Sequence, residues 1–108
     1  MAKENLKKNK EENVKEPIEK PENVVFIGRK PVMNYVVACL TFFNAGESEV
    51  VVKARGQAIS AAVDTVELLK RAFVKNLGYK NIEIGTEEIT VEEKSRNVST
   101  IEITLIKT

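Results

Sequence analysis

No histidine and no tryptophan occur in the 108 residues, and cysteine occurs once, at Cys39. Without histidine the chain loses the commonest general base and the commonest metal ligand together. A lone cysteine closes no internal disulfide, and its apolar neighbours mark it as a small buried side chain. No apolar run approaches the roughly 20 residues of a membrane span, and the lysine-rich start lacks the apolar core of a signal peptide. A soluble, intracellular protein that meets no membrane is expected. Net charge is nearly absent too: 17 Lys and Arg against 16 Asp and Glu leave +1. Any case for a polyanionic partner must rest on where the cations lie.

With 43% apolar and 31% charged side chains, the chain has the composition of one globular domain with a single core, plus a tail. The tail is residues 1–22. It holds six lysines, six glutamates, Pro17 and Pro21, with almost no large apolar side chain. Such a segment cannot bury enough surface to offset the entropy of ordering it, so disorder is expected. Being neutral overall, it reads as a solvating leader rather than a basic DNA-binding arm. Residues 23–108 are expected to form the folded domain.

What the chain does have is two strand ends that each set down a pair of cations. Val24 to Ile27 is a continuous apolar run, the pattern of a central strand covered on both faces. Gly28 permits a backbone turn that a Cβ would resist. Arg29 and Lys30 follow, and Pro31 suits the first turn of a helix, where a missing N–H costs nothing. That helix is predicted to about Asn44, with Val32, Val36, Leu40 and Phe43 on one stripe and Gly46 as its stop. Met33, Val37, Tyr35 and Phe42 widen its apolar surface, which points either to a subunit contact or to a helix buried deep within one chain. Glu49 to Arg55 then alternates. Val50, Val52 and Ala54 face the core, while Lys53 and Arg55 project from the other face about 7 Å apart.

Gln57 to Leu77 returns to helical spacing, with Ile59, Val63, Val66, Leu69 and Phe73 inward and Gly78 as the stop. Arg55 and Gly56 lead into it, so the N–H groups of its first turn lie near the cations. No second glycine makes this junction a phosphate loop of the nucleotide-binding kind. Two strands close the chain. Their inward phase slips near Gly85, between Ile82, Ile84 and Ile89, Val91, which predicts a bulge there. Glu92 to Asn97 reads as the turn, and Val98 to Lys107 as the last strand, with Ile101, Ile103 and Leu105 inward. The hairpin outruns what a small core needs, so its tip is expected to protrude and be mobile. The order predicts an α/β (α+β sandwich) fold: a mixed four-stranded sheet with both helices on one face.

The strings IGRKPVMNY and KARGQAISAAVDTVE, together with the closing SRNVSTIEITLIK, resemble the Alba family of archaeal chromatin proteins, and the resemblance covers Asn23 to Thr108. It implies the βαβαββ fold of the C-terminal domain of bacterial translation initiation factor three, and a homodimer. It also implies binding to double-stranded DNA with little sequence preference, with RNA as a further ligand, in chromosome packaging in the cytoplasm. By position, Arg29 and Lys30 match the basic pair of the family's central nucleic-acid contact, and Lys53 and Arg55 match further basic positions of that surface. Arg96 falls on a basic position near the tip of the family's arm. Phe73 matches an aromatic position used where dimers meet side by side on DNA. Three departures stand out. Arg29 occupies the position of a lysine whose acetylation is linked to weakened DNA binding, Gln57 replaces an often basic residue, and the arm carries Glu87, Glu88, Glu92 and Glu93. Binding weaker or more selective than that of a basic member is expected.

Two other readings use the same residues. An RNA-binding module of a ribonucleoprotein, or an RNA chaperone, would grip an A-form helix by shape and 2′-OH contacts. Tyr35 is the one aromatic residue expected beside the cations, with Tyr79 distant, so duplex backbone is favoured over stacking on single strands. An enzyme with Arg29 and Lys30 as an anion clamp needs an activated nucleophile or base. Cys39 lies among apolar residues, and Asn34 and Ser60 have no evident activator. The chain is read as no enzyme, with no cofactor and no metal.

Overall fold

A three-residue strand, β1 (Val24–Phe26), opens the folded part, followed by α1 (Val32–Asn44), β2 (Glu49–Arg55), α2 (Ile59–Leu68), β3 (Leu77–Val91) and β4 (Lys94–Lys107). The structure is a computed structural model that describes residues 23–108, and the tail expected over residues 1–22 lies outside the described residues. The strands form one sheet in the order β1-β2-β4-β3. β1 and β2 run parallel, and the other neighbours pair antiparallel. The expected mixed sheet with two helices on one face is therefore what the chain forms.

The period-two pattern of β2 decides where the core sits. Val50, Val52 and Ala54 lie opposite Leu105, Ile103 and Ile101 of β4, and this face packs on Val36, Cys39 and Phe43 of α1 and Ala62 and Val66 of α2. Leu105, Val36, Val50 and Val52 are fully buried, each such side chain contributing roughly 1.5–3 kcal/mol of apolar transfer. Thr65 is buried as well, and its hydroxyl donates to the Ala61 carbonyl at 2.7 Å, so its polar atom enters the core already satisfied.

Several local expectations are corrected. β1 is an edge strand, and only one of its faces is covered: Val25 is buried while Phe26 is 71% exposed. An unbroken apolar run carries no mark of which face lacks a second layer. Gly28 is not among the residues with positive φ. A Cβ there would stand 3.3 Å from the Tyr35 hydroxyl, so close approach, not a left-handed turn, calls for glycine. α1 is not buried deep within the chain, because Met33 and Val37 stay exposed.

The second helix buries Ala62, Thr65, Val66 and Leu69, leaving Val63 and Phe73 exposed. Positions 62, 65, 66 and 69 are themselves a helical period, and their smaller side chains let the helix close on the sheet. It also ends earlier than Leu77. After Leu68 it widens into a π turn, Leu69–Phe73, closed by the Val74 N–H donating to the Leu69 carbonyl at 2.8 Å, and Val74 is already extended. Gly78 lies in β3 and stops nothing. The register shift falls between Tyr79 and Asn81 rather than near Gly85. Ile89 and Val91 pair beyond the core, so no inward phase constrains them. The turn is tighter than Glu92 to Asn97: Glu92 and Glu93 alone form it, with φ of 52 and 66, and β4 starts at Lys94. Two-residue turns of this hand usually show Asn-Gly or Asp-Gly, which is absent here.

Burial pushes the Cys39 thiol from 9.0 up to about 12. The folded chain therefore holds this proton more tightly than the unfolded chain does. The associated stability is complete below pH 9 and is lost as pH rises from 9 towards 12. Iodoacetamide at neutral pH should leave Cys39 untouched in the native protein and label it in guanidinium. Equal labelling in both would mean that α1 does not bury this face.

Candidate nucleic-acid interface

Parallel pairing of β1 and β2 brings their C-terminal ends together. Phe26 lies opposite Lys53, and the Ile27 N–H donates to the Lys53 carbonyl at 2.9 Å. The loop with Arg29 and Lys30 therefore leaves the sheet at the end where β2 finishes in Arg55. Tyr35, on the first turns of α1, fixes this loop. Its hydroxyl accepts from the Gly28 N–H at 2.9 Å and from the Lys30 N–H at 3.0 Å, and the residue is 8% exposed. The aromatic residue expected to stand open beside the cations is thus turned inward as a backbone anchor. Arg29 and Lys30 are exposed, and among the described residues no carboxylate lies within ion-pair distance of either.

Lys53 and Arg55 project from the outer face of the sheet, as their alternation requires. Each meets a carboxylate there. Lys53 Nζ is 3.7 Å from Glu102 Oε1, and Arg55 Nη1 is 3.0 Å from Glu87 Oε1. These are solvent-exposed pairs, worth about 1 kcal/mol at most. Phe26 stands open beside them, with the Lys53 ammonium 6.0 Å from its ring centroid. Together with Glu83 these side chains line a shallow groove of about 660 Å³ on the outer face. Sequence reading missed Phe26 and Glu102. The signal was present for Glu102: it sits between Ile101 and Ile103, which face inward, so it must share a face with the cations.

Past the Arg55 to Thr100 pair, β3 and β4 continue with only each other as partners, and this ribbon is the protruding arm. Alternation along β4 places Lys94, Arg96 and Val98 on the face of Thr100, the face from which Arg55 projects. Arg96 lies opposite Ile89. The arm's acids divide: Glu87 turns to Arg55, whereas Glu88, on the other face, accepts from the Ser95 hydroxyl. Phe73 is exposed at the end of the π turn, in the helix layer rather than on the cationic face. The structure thus sets Arg29, Lys30 and Arg55 at one end of the sheet and Lys53 one step inward, with Arg96 on the arm and Phe73 elsewhere.

No helix among the described residues is long and apolar enough to cross a membrane. The profile of the Alba family matches residues 23–86. DNA/RNA-binding protein Alba 1 of Archaeoglobus fulgidus is 55% identical over 86 residues, 80% of this chain and 97% of that protein. DNA/RNA-binding protein Alba of Methanocella arvoryzae is 52% identical over 85 residues, 78% of this chain and 88% of that protein. The solved structure of Alba from Thermoplasma volcanium superposes with a TM-score of 0.76 at 45% identity, covering 79% of this chain and all of that one. Profile, identity and backbone agree over the segment that carries the paired strands, the anchored loop and both helices, and the chain belongs to the Alba family.

Proposed function

We propose that this chain is a dimeric architectural protein that binds double-stranded DNA through its phosphate backbone with little sequence preference. It contributes to chromosome compaction in the cytoplasm and also binds RNA. The observation that carries the reading is the parallel register of β1 and β2, which sets Arg29, Lys30 and Arg55 at the end of the sheet from which the arm with Arg96 projects. The names of the relatives, DNA/RNA-binding proteins, support the same ligands. Phosphate contacts carry no base information, so any preference comes from duplex shape. The RNA-module reading draws on those names equally, and competition between matched DNA and RNA duplexes at one salt concentration separates the two. Catalysis is disfavoured because Cys39, the one thiol, is fully buried.

The dimer is argued from an apolar area that a single chain leaves open. Ile82 and Ile84 lie opposite Ile103 and Ile101 on the helix side of the sheet, yet the helices stop short of them, and Ile84 is 81% exposed. Ile59 and Ile101 border the same depression, and Val63 follows one helical turn later. Contiguous exposed apolar surface of this kind marks an interaction site, and a second copy of the chain is the proposed occupant. Phe73 is the proposed contact between dimers lying side by side on DNA.

Arg29, Lys30, Lys53 and Arg55, doubled in the dimer, make about eight contacts and a slope of log K against log salt of roughly −7 on B-DNA if each meets a phosphate. A measured slope shallower than about −2 would overturn the surface. Arg29→Ala/Lys30→Ala should weaken duplex binding and flatten the slope by roughly 3 to 4, the loss of four contacts per dimer; unchanged affinity would dispose of the loop assignment. Ile84→Glu should convert the dimer to a monomer in sedimentation at micromolar concentration. A persistent dimer would place the interface elsewhere.

A further inference from the structure

The outer face of the sheet is divided by charge. Across the four strands, the register aligns Phe26, Lys53, Glu102 and Glu83 in one row. The β1–β2 half thus carries an aromatic ring and a cation, and the β4–β3 half carries two carboxylates side by side. One step toward the arm, Arg55 on β2 reaches past β4 to Glu87 on β3, and both side chains remain more than half exposed. A carboxylate oxygen 3.0 Å from a guanidinium nitrogen occupies the place that a phosphate oxygen would take.

We infer that Glu87 is a specificity-determining residue that competes with the nucleic-acid phosphate for Arg55, and that the Glu83–Glu102 pair beside it confines the backbone to the β1–β2 side of the sheet. The inference rests on the nucleic-acid reading above and deepens it. Binding at Arg55 requires an exchange of one anion for another rather than the filling of an open site. The exposed pair is weak enough to exchange, so Arg55 responds to how well a given backbone presents its phosphate. Arg29 and Lys30, with no described carboxylate in ion-pair reach, carry the first contact.

The test is a double-mutant cycle on full-length protein with a duplex DNA probe at several salt concentrations. Glu87→Gln should tighten binding roughly three- to tenfold per dimer and steepen the salt slope by about 1 to 2, as Arg55 becomes available. In an Arg55→Ala background the same change should have little effect. Glu83→Gln, which removes the same charge from a carboxylate with no cation partner among the described residues, should tighten binding less than Glu87→Gln. Binding by the wild type with no gain in Glu87→Gln overturns the inference and leaves the reading intact. An equal gain with and without Arg55 also overturns it, since that would be general charge removal. Absence of DNA binding in every variant overturns reading and inference together.

Discussion

The Tyr35 hydroxyl, accepting two backbone N–H groups from the loop ahead of its own helix, is the constraint on which the rest of the surface depends. It ties the end of β1 to the start of α1, so the two cations between them are held by backbone rather than by their own flexible side chains. It explains Gly28, whose missing Cβ leaves room for the oxygen. α1 starts without a side-chain cap because Pro31 has no polar side-chain atom, and the Asn34 N–H donates instead to the Pro31 carbonyl at 2.9 Å. A long cationic side chain loses rotamer freedom when it grips a ligand. Fixing the backbone beneath it keeps that loss from being compounded by ordering of the loop.

Charge is distributed over this surface by strand, and the net of +1 conceals it. Over the body of the sheet the loop and β2 present cations, whereas β3 and β4 present carboxylates at Glu83, Glu87 and Glu102; the cations of β4 on this face, Lys94 and Arg96, lie out on the arm. Neighbouring strands stand about 4.8 Å apart, well inside a Debye length of roughly 8 Å at physiological salt, so the two halves feel each other fully. The surface is therefore one in which attraction is strongest at the loop and fades across the sheet. Lys53 and Arg55 share their charge with neighbouring carboxylates, whereas Arg29 and Lys30 have none within ion-pair reach among the described residues.

Much of this was legible in the sequence because alternation is unambiguous where one face is covered. Val50, Val52 and Ala54 inward fixed Lys53 and Arg55 outward, and the element order fixed the sheet. The family resemblance was equally readable, carried by strings that span the loop and the start of α2. What could not be read depends on contacts that a residue's own pattern does not record. Tyr35 lies only seven and five residues from its partners, but nothing in its own pattern says whether its hydroxyl points to solvent or back to the chain. The edge position of β1 follows from which strand pairs beyond it, and Val24 to Phe26 look the same either way. Glu87 lies 32 residues from Arg55, across an intervening strand, and only the register brings them into contact. The early end of the second helix was hidden because the chain leaves the π turn already extended, and the strand begins sooner than glycine placement suggests.

The turn at the end of the arm closes on two glutamates in left-handed backbone, a conformation that costs an L-residue about 1–2 kcal/mol each. Beyond Val98, which is still buried, the ribbon has no third strand and no buried apolar side chain to offset that cost, and a lone hairpin is marginal in water. The outermost rungs of the ladder alone offset the cost of the bend that joins them. The finger that carries Arg96 is braced by packing at its root and held by cross-strand pairing alone at its end.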